Sequence, residues 1–476
     1  MALLHNIWWY LVLIGVMILV HELGHYFAAR FFDVKVETFS FGFGPRLFGF
    51  RHGETDFRFS AILFGGYVKM TGDQPGDEAA SDPRSLFAKP RWQRTIIAFA
   101  GPAINVVLAV VLLTGLFMVE FQKFPMPHDP VVGNVMPDGP AERAGIREGD
   151  RVVQVNNTTD PTWEDIGLTE IASARRAMQV WVLRNGQRLH FTIMPAYDDK
   201  QDIGYAGWFQ ESEVQVADFS AGIDVAERAG LRKGDVLVSV NGVPIRSTSR
   251  VREVIEQGKG APVKLVFLHC DTAPGLHGLA ASVNPPPAAG YIRPTPDAPP
   301  VPRVPGGCEQ REATVTPVHK TLDGEERWMI GVLFEPKFEI VKLPFPQALI
   351  EASRSNVQSA KLIFSVLEGI VERRLSPKGL TGPIRIAQMS GQAAREGAAT
   401  FIGLMAAVSL NLAIVNLLPI PILDGGVILL LLVEMLLRRD LDLKVKEAVV
   451  KVGFVFLMVV LVFAIYNDLS KILPPG

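Results

Sequence analysis

The chain has 476 residues, of which 48% are hydrophobic and 28 are phenylalanine, and its mean hydropathy is +0.23. That composition excludes an ordinary soluble globule and points to membrane spans carrying soluble parts, in two to four domains. With 47 basic and 49 acidic residues the net charge is −2, which implies no nucleic-acid surface, and two cysteines exclude a Cys-based zinc site or a disulfide-dense scaffold.

The first apolar run, 7–32, is long enough to cross a bilayer core and carries His21-Glu22-Leu23-Gly24-His25 inside it. Two His four apart share one helix face and can reach one metal ion; the Glu beside the first can then act on a metal-polarised water. Ionisable groups at membrane depth are costly and mark function. The run has no Lys or Arg before it and contains His, Glu and His, so it reads as a retained span (1–32) rather than a cleavable signal peptide.

Segment 33–94 is basic and holds two apolar runs around Gly65-Gly66, read as strand, turn, strand: a membrane-associated β-hairpin whose edge suits an added peptide strand. Further apolar runs fall at 95–119, 400–437 and 449–465, within assigned segments 95–120, 376–437 and 449–467. The fold class expected is therefore a multi-pass α-helical membrane protein with four transmembrane helices. The basic residues concentrate in 31–94 and 438–446, which places those loops in the cytoplasm and both termini and 120–398 outside.

The outer region contains a repeat. Ala141-Glu-Arg-Ala-Gly-Ile-Arg-Glu-Gly-Asp150 returns as Ala226-Glu-Arg-Ala-Gly-Leu-Arg-Lys-Gly-Asp235, each followed by a β-rich stretch. This pattern resembles bacterial PDZ domains, at 125–205 and 206–340, which implies α+β modules that take peptides by strand addition or act as steric spacers. A Pro-rich insertion at 271–307 interrupts the second, and Cys270 and Cys308 bracket it, inviting a disulfide outside the cytoplasm. Segment 345–375 has helical spacing of apolar and charged positions, as expected of an amphipathic helix on the outer membrane face.

The broken span supplies Asn416-Leu-Leu-Pro419-Ile-Pro421-Ile-Leu-Asp424-Gly-Gly426. Irregular backbone at membrane depth must be covered by protein or face a water-filled cavity. Asp424 is thus the expected third ligand beside His21 and His25; Glu434, the competing carboxylate, reads as an interfacial charge near Arg438.

Taken in order, His21–His25, Gly42-Phe-Gly-Pro45, Gly65–Met70, Gly101-Pro102 with Asn105, and Asn416–Gly426 resemble the site-2 intramembrane metalloproteases over nearly the whole chain. The resemblance implies a bacterial inner-membrane enzyme that uses Zn2+ at His21, His25 and Asp424, with Glu22 as general base. It also implies that Asn416, Gly65, Gly66 and Tyr67 hold an extended substrate, assisted by Asn105. The implied substrate is a single-pass membrane protein such as an anti-sigma factor already cut outside, with signal-peptide remnants as a second class. An inactive PDZ scaffold and a metal transporter are the rival classes; the intact Glu22 weighs against both.

Overall fold

The computed structural model describes residues 2–72, 82–123, 130–198, 203–220, 222–270, 308–322, 325–377 and 381–472. The 271–307 insertion lies outside them. The chain divides into two compact units, 1–121 with 341–476, and 122–340.

In the first unit α1 (Ala2–Phe31) and α2 (Arg91–Val119) are apolar on nearly all sides, as buried or lipid-facing helices are. They pack closely because a Cβ on Gly24 of α1 would lie 2.4 Å from the Ala100 carbonyl oxygen of α2. Small residues at such crossings let helices associate in lipid, where no hydrophobic drive exists between them. Between these helices run β1 (Val36–His52) and β2 (Thr55–Met70), an antiparallel pair reversing at Gly53.

The expected turn at Gly65-Gly66 is not a turn. Both glycines lie within β2, whose residues 55–60 pair with 46–52 and whose residues 56–59 also lie beside 38–41, while residues 66–70 fold back beside 36–41. Gly65 has φ +115°, and a Cβ there would strike the Phe43 ring at 2.2 Å, so only glycine lets the ribbon double over. Residues 66–70 thereby become an edge strand.

In the second unit the repeat becomes two β-rich lobes. Each holds a short helix, α3 (Pro140–Ala144) or α5 (Val225–Arg228), before a buried Asp: Asp150 accepts from the Arg147 amide at 2.9 Å, and Asp235 from the Arg232 amide at 2.8 Å. Each Asp also meets a partner at 2.6 Å, Arg184 in one lobe and His269 in the other. Longer helices α4 (Trp163–Ala172) and α6 (Thr248–Gln257) start at the side-chain caps Thr162 and Ser247. Ala206 and Trp208 belong to the first lobe's core, so the division expected at 205/206 falls inside that lobe. Cys308 is disulfide-bonded, and its register partner on the neighbouring strand is Cys270, the chain's other cysteine.

Back in the first unit, α7 (Phe345–Val371) and then α8 (Pro383–Glu396) precede α9 (Ala398–Leu417), α10 (Asp424–Leu437) and α11 (Leu443–Ile472). Helix α8 was not foreseen. Its N-terminal amides at Gly382, Ile384 and Arg385 all donate to the Asp468 carboxylate of α11 at 3.0 Å, which caps its positive end. Among the described residues, four helices are long and apolar enough to cross a membrane: Leu3–Phe31, Arg91–Val119, Ala398–Leu417 and Lys444–Ser470. The expected span at 400–437 is two helices, α9 and α10, separated at Pro419-Ile-Pro421.

Candidate metal centre

Residues far apart in sequence meet here because α1 and α10 both pack on α2. His21 and His25 stand one turn apart on α1, with their Nε2 atoms 3.2 Å from each other. Asp424 opens α10, and its two oxygens lie 3.1 Å from His21 Nε2 and 3.4 Å from His25 Nε2. A tetrahedral ion with ligand bonds near 2.0 Å holds its ligands about 3.3 Å apart. The three donors are already at that spacing.

The protons on the far ring nitrogens support the same reading. His25 Nδ1 donates to the Ile97 carbonyl oxygen at 2.8 Å. Pro102, inside α2, has no backbone N–H to offer the Ala98 carbonyl, and its neighbour Gly101 leaves room for the rings. A Cβ on Gly101 would sit 2.3 Å from His25 Nε2 and 2.9 Å from His21 Cε1. His21 Nδ1 faces the fully buried Asn105 side-chain amide at 3.4 Å. Among the described residues Asn105 Oδ1 has no partner in the present amide orientation; with the amide turned over it would accept the Nδ1 proton of His21. With Nδ1 protonated on both rings, two bare Nε2 lone pairs and a carboxylate converge on one point, and a cation is what that point accommodates.

Glu22 follows His21 and points into the adjoining space. The Val68 backbone amide in β2 donates to its carboxylate. Gly66 lies so near that its Cβ would meet Glu22 Cγ at 3.3 Å. Glu22, His25 and Asp424 line a cavity of about 280 Å³, with Val68, Met70 and Arg94 also on its wall.

The other residues singled out from sequence fall in several places. Gly66 is at the site. Gly65 is at the fold of β2, and Tyr67 stacks on Phe43 with ring centroids 5.9 Å apart and receives the Arg58 guanidinium. Asn416 is half-buried in the last turn of α9. Glu434 is not an interfacial charge near Arg438: it is 1% exposed, held by Lys446 Nζ at 2.6 Å, and accepts from the Leu441 amide at 3.0 Å. The Ile97 carbonyl, the Val68 amide and the Gly24–Ala100 contact were missed.

A carboxylate beside a two-His, one-carboxylate cluster, set among membrane-length helices, is the arrangement that a membrane metallopeptidase needs. Residues 9–460 match peptidase family M50, and the chain belongs to that family, the site-2 proteases. It is 28% identical over 501 residues to the "Regulator of sigma-E protease RseP" of Salmonella typhimurium, covering 99% of this chain and 100% of that protein. It is 26% identical over 477 residues to a "Putative zinc metalloprotease" of Vibrio cholerae, covering 97% and 98%. A protein of the same description from Xylella fastidiosa is 29% identical over 488 residues, covering 98% and 99%.

Proposed function

We propose that this enzyme cleaves peptide bonds within membrane-spanning segments, with zinc held by His21, His25 and Asp424. The observation that carries this is the convergence of those three acceptors at 3.1–3.4 Å beside Glu22 and the edge of β2. Bound zinc supplies Lewis acidity, acidifying water and polarising a carbonyl.

The chain's own groups do the rest. Glu22 takes the proton of the attacking water and returns it to the leaving amine. The Val68 amide keeps the Glu22 carboxylate turned toward the cavity. A membrane helix hides its amides in hydrogen bonds, so the substrate must be drawn out before attack. Residues 66–70 offer a strand edge for that, with Gly65, Gly66 and Tyr67 shaping it and Asn416 contributing a side-chain amide to the extended segment. Asn105 orients His21 rather than touching substrate.

Loop charge supports both termini and the 122–340 unit outside, with the metal nearer the cytoplasmic face of a bacterial inner membrane. The two lobes read as PDZ modules that filter substrates by the size or end of their outer part. The kinship with a sigma-E regulator supports a single-pass, anti-sigma-like substrate trimmed beforehand. In the test, a doubly tagged model span is incubated with wild type and Glu22→Gln. The variant is expected to keep its metal and fold and to lose cleavage; equal cleavage by both would overturn the proposal.

A further inference from the structure

Outside the metal centre, one carboxyl group sits where neither packing nor the peptidase chemistry asks for it. Glu170, near the end of α4, accepts from the Ala206 amide at 2.5 Å through one oxygen and from the Trp208 indole at 2.7 Å through the other. These donors bracket a turn at Gly207 (φ +79°) that leads into the Trp208–Gln210 strand. That strand pairs with Val132–Val135 on one side, and among the described residues no strand pairs with its other edge. Helix α4 packs beside this segment: Trp163 meets the buried Trp208 with ring centroids 5.8 Å apart, and a Cβ on Gly204, in the preceding strand Ile203–Tyr205, would touch the Glu170 carbonyl oxygen at 2.3 Å.

A strand edge beside a helix is a strand-addition groove, and a peptide running antiparallel to Trp208–Gln210 ends at the Ala206 amide. A chain end arriving there presents a carboxylate to that amide. Glu170 already does so.

The second lobe is an internal control. Its Val332–Pro336 strand follows a matching turn at Gly331 (φ +78°) and ends the sheet order, leaving one edge unpaired by strands among the described residues. The Met136 amide bonds to the Gly207 carbonyl at 2.7 Å in the first lobe, and the Ser220 amide to the Gly331 carbonyl at 2.9 Å in the second. Counting from the caps Thr162 and Ser247, the position of Glu170 in α4 is that of Ile255 in α6. Ile255 is apolar and buried, and offers no acceptor.

The geometry points to Glu170 as a built-in occupant that closes the first lobe's groove to free peptide carboxyl termini. This rests on the strand-addition reading of the lobes.

The test uses the full chain in detergent and two decapeptide probes, one ending in a free valine carboxylate and one in the amide. Binding is read by hydrogen exchange at 205–210 and 330–336. In wild type the carboxylate peptide is expected to leave 205–210 unchanged; protection there would overturn the proposal without any variant. In Glu170→Ala the same peptide should protect 205–210, binding at least about tenfold more tightly than its amide, the worth of one charged hydrogen bond. Protection of 330–336 without any at 205–210 in a folded Glu170→Ala sinks the Glu170 proposal alone. Protection at neither segment in either protein sinks the strand-addition reading with it.

Discussion

His25 Nδ1 and the Ile97 carbonyl oxygen are 2.8 Å apart, and this one bond decides which ring nitrogen faces His21 and Asp424 at the candidate metal centre. The bond depends on how closely α1 and α2 approach, which Gly101 permits. Gly101→Ala would place a methyl 2.3 Å from His25 Nε2. Zinc affinity, measured by competition with a chromophoric chelator, is expected to fall about 10–100-fold, the usual cost of disturbing a ligand's support.

Asn105 holds the other ring. Asn105→Ala removes the partner of His21 Nδ1 and leaves the Ser409 hydroxyl bond to the Asn105 backbone at 2.8 Å intact. Zinc affinity is expected to drop by about 10–100-fold with little change in melting temperature. A collapse of the fold instead would assign Asn105 a packing role.

Chelation separates metal from scaffold. Stripping zinc should abolish cleavage, and readdition should restore it in wild type. Glu22→Gln should take up zinc equally yet cleave about 100–10,000-fold more slowly, the range for loss of a general base.

The Glu434–Lys446 pair ties α10 to α11 with Glu434 at 1% exposure. Lys446→Met leaves a buried carboxylate without its cation and is expected to cost about 3 kcal/mol, read from denaturant unfolding. Glu434→Met with Lys446→Met should recover most of that loss, since the pair's desolvation disappears with it.

Burial pushes the Glu170 carboxyl above the usual glutamate range, against the opposing pull of its Ala206 and Trp208 hydrogen bonds. A raised folded-state pKa makes its contribution to stability complete below the ordinary value of about 4.3 and lost as pH rises through the folded value. Wild type should therefore lose melting temperature relative to Glu170→Gln as pH is raised from about 4 to 8. A constant difference across that range would contradict the shift.

The sequence alone determined what is encoded over short distances. Hydropathy marked the four spans, because lipid imposes length and apolarity on each helix separately. The four-residue spacing of His21 and His25 put both rings on one face, and Pro419-Ile-Pro421 announced a broken helix before Asp424. The repeat was legible as two copies of one ten-residue pattern. Tertiary structure decided what depends on partners remote in sequence. Only it showed that Gly65-Gly66 lies inside a doubled strand, because the register there is set by pairing with β1, and Gly65 serves to let the paired ribbon fold over. Only it gave Lys446 to Glu434, the Val68 amide to Glu22 and the Ile97 carbonyl to His25. Backbone donors and acceptors are the same in every residue but proline, so which of them meets a given side chain is fixed by packing and leaves no mark in residue type.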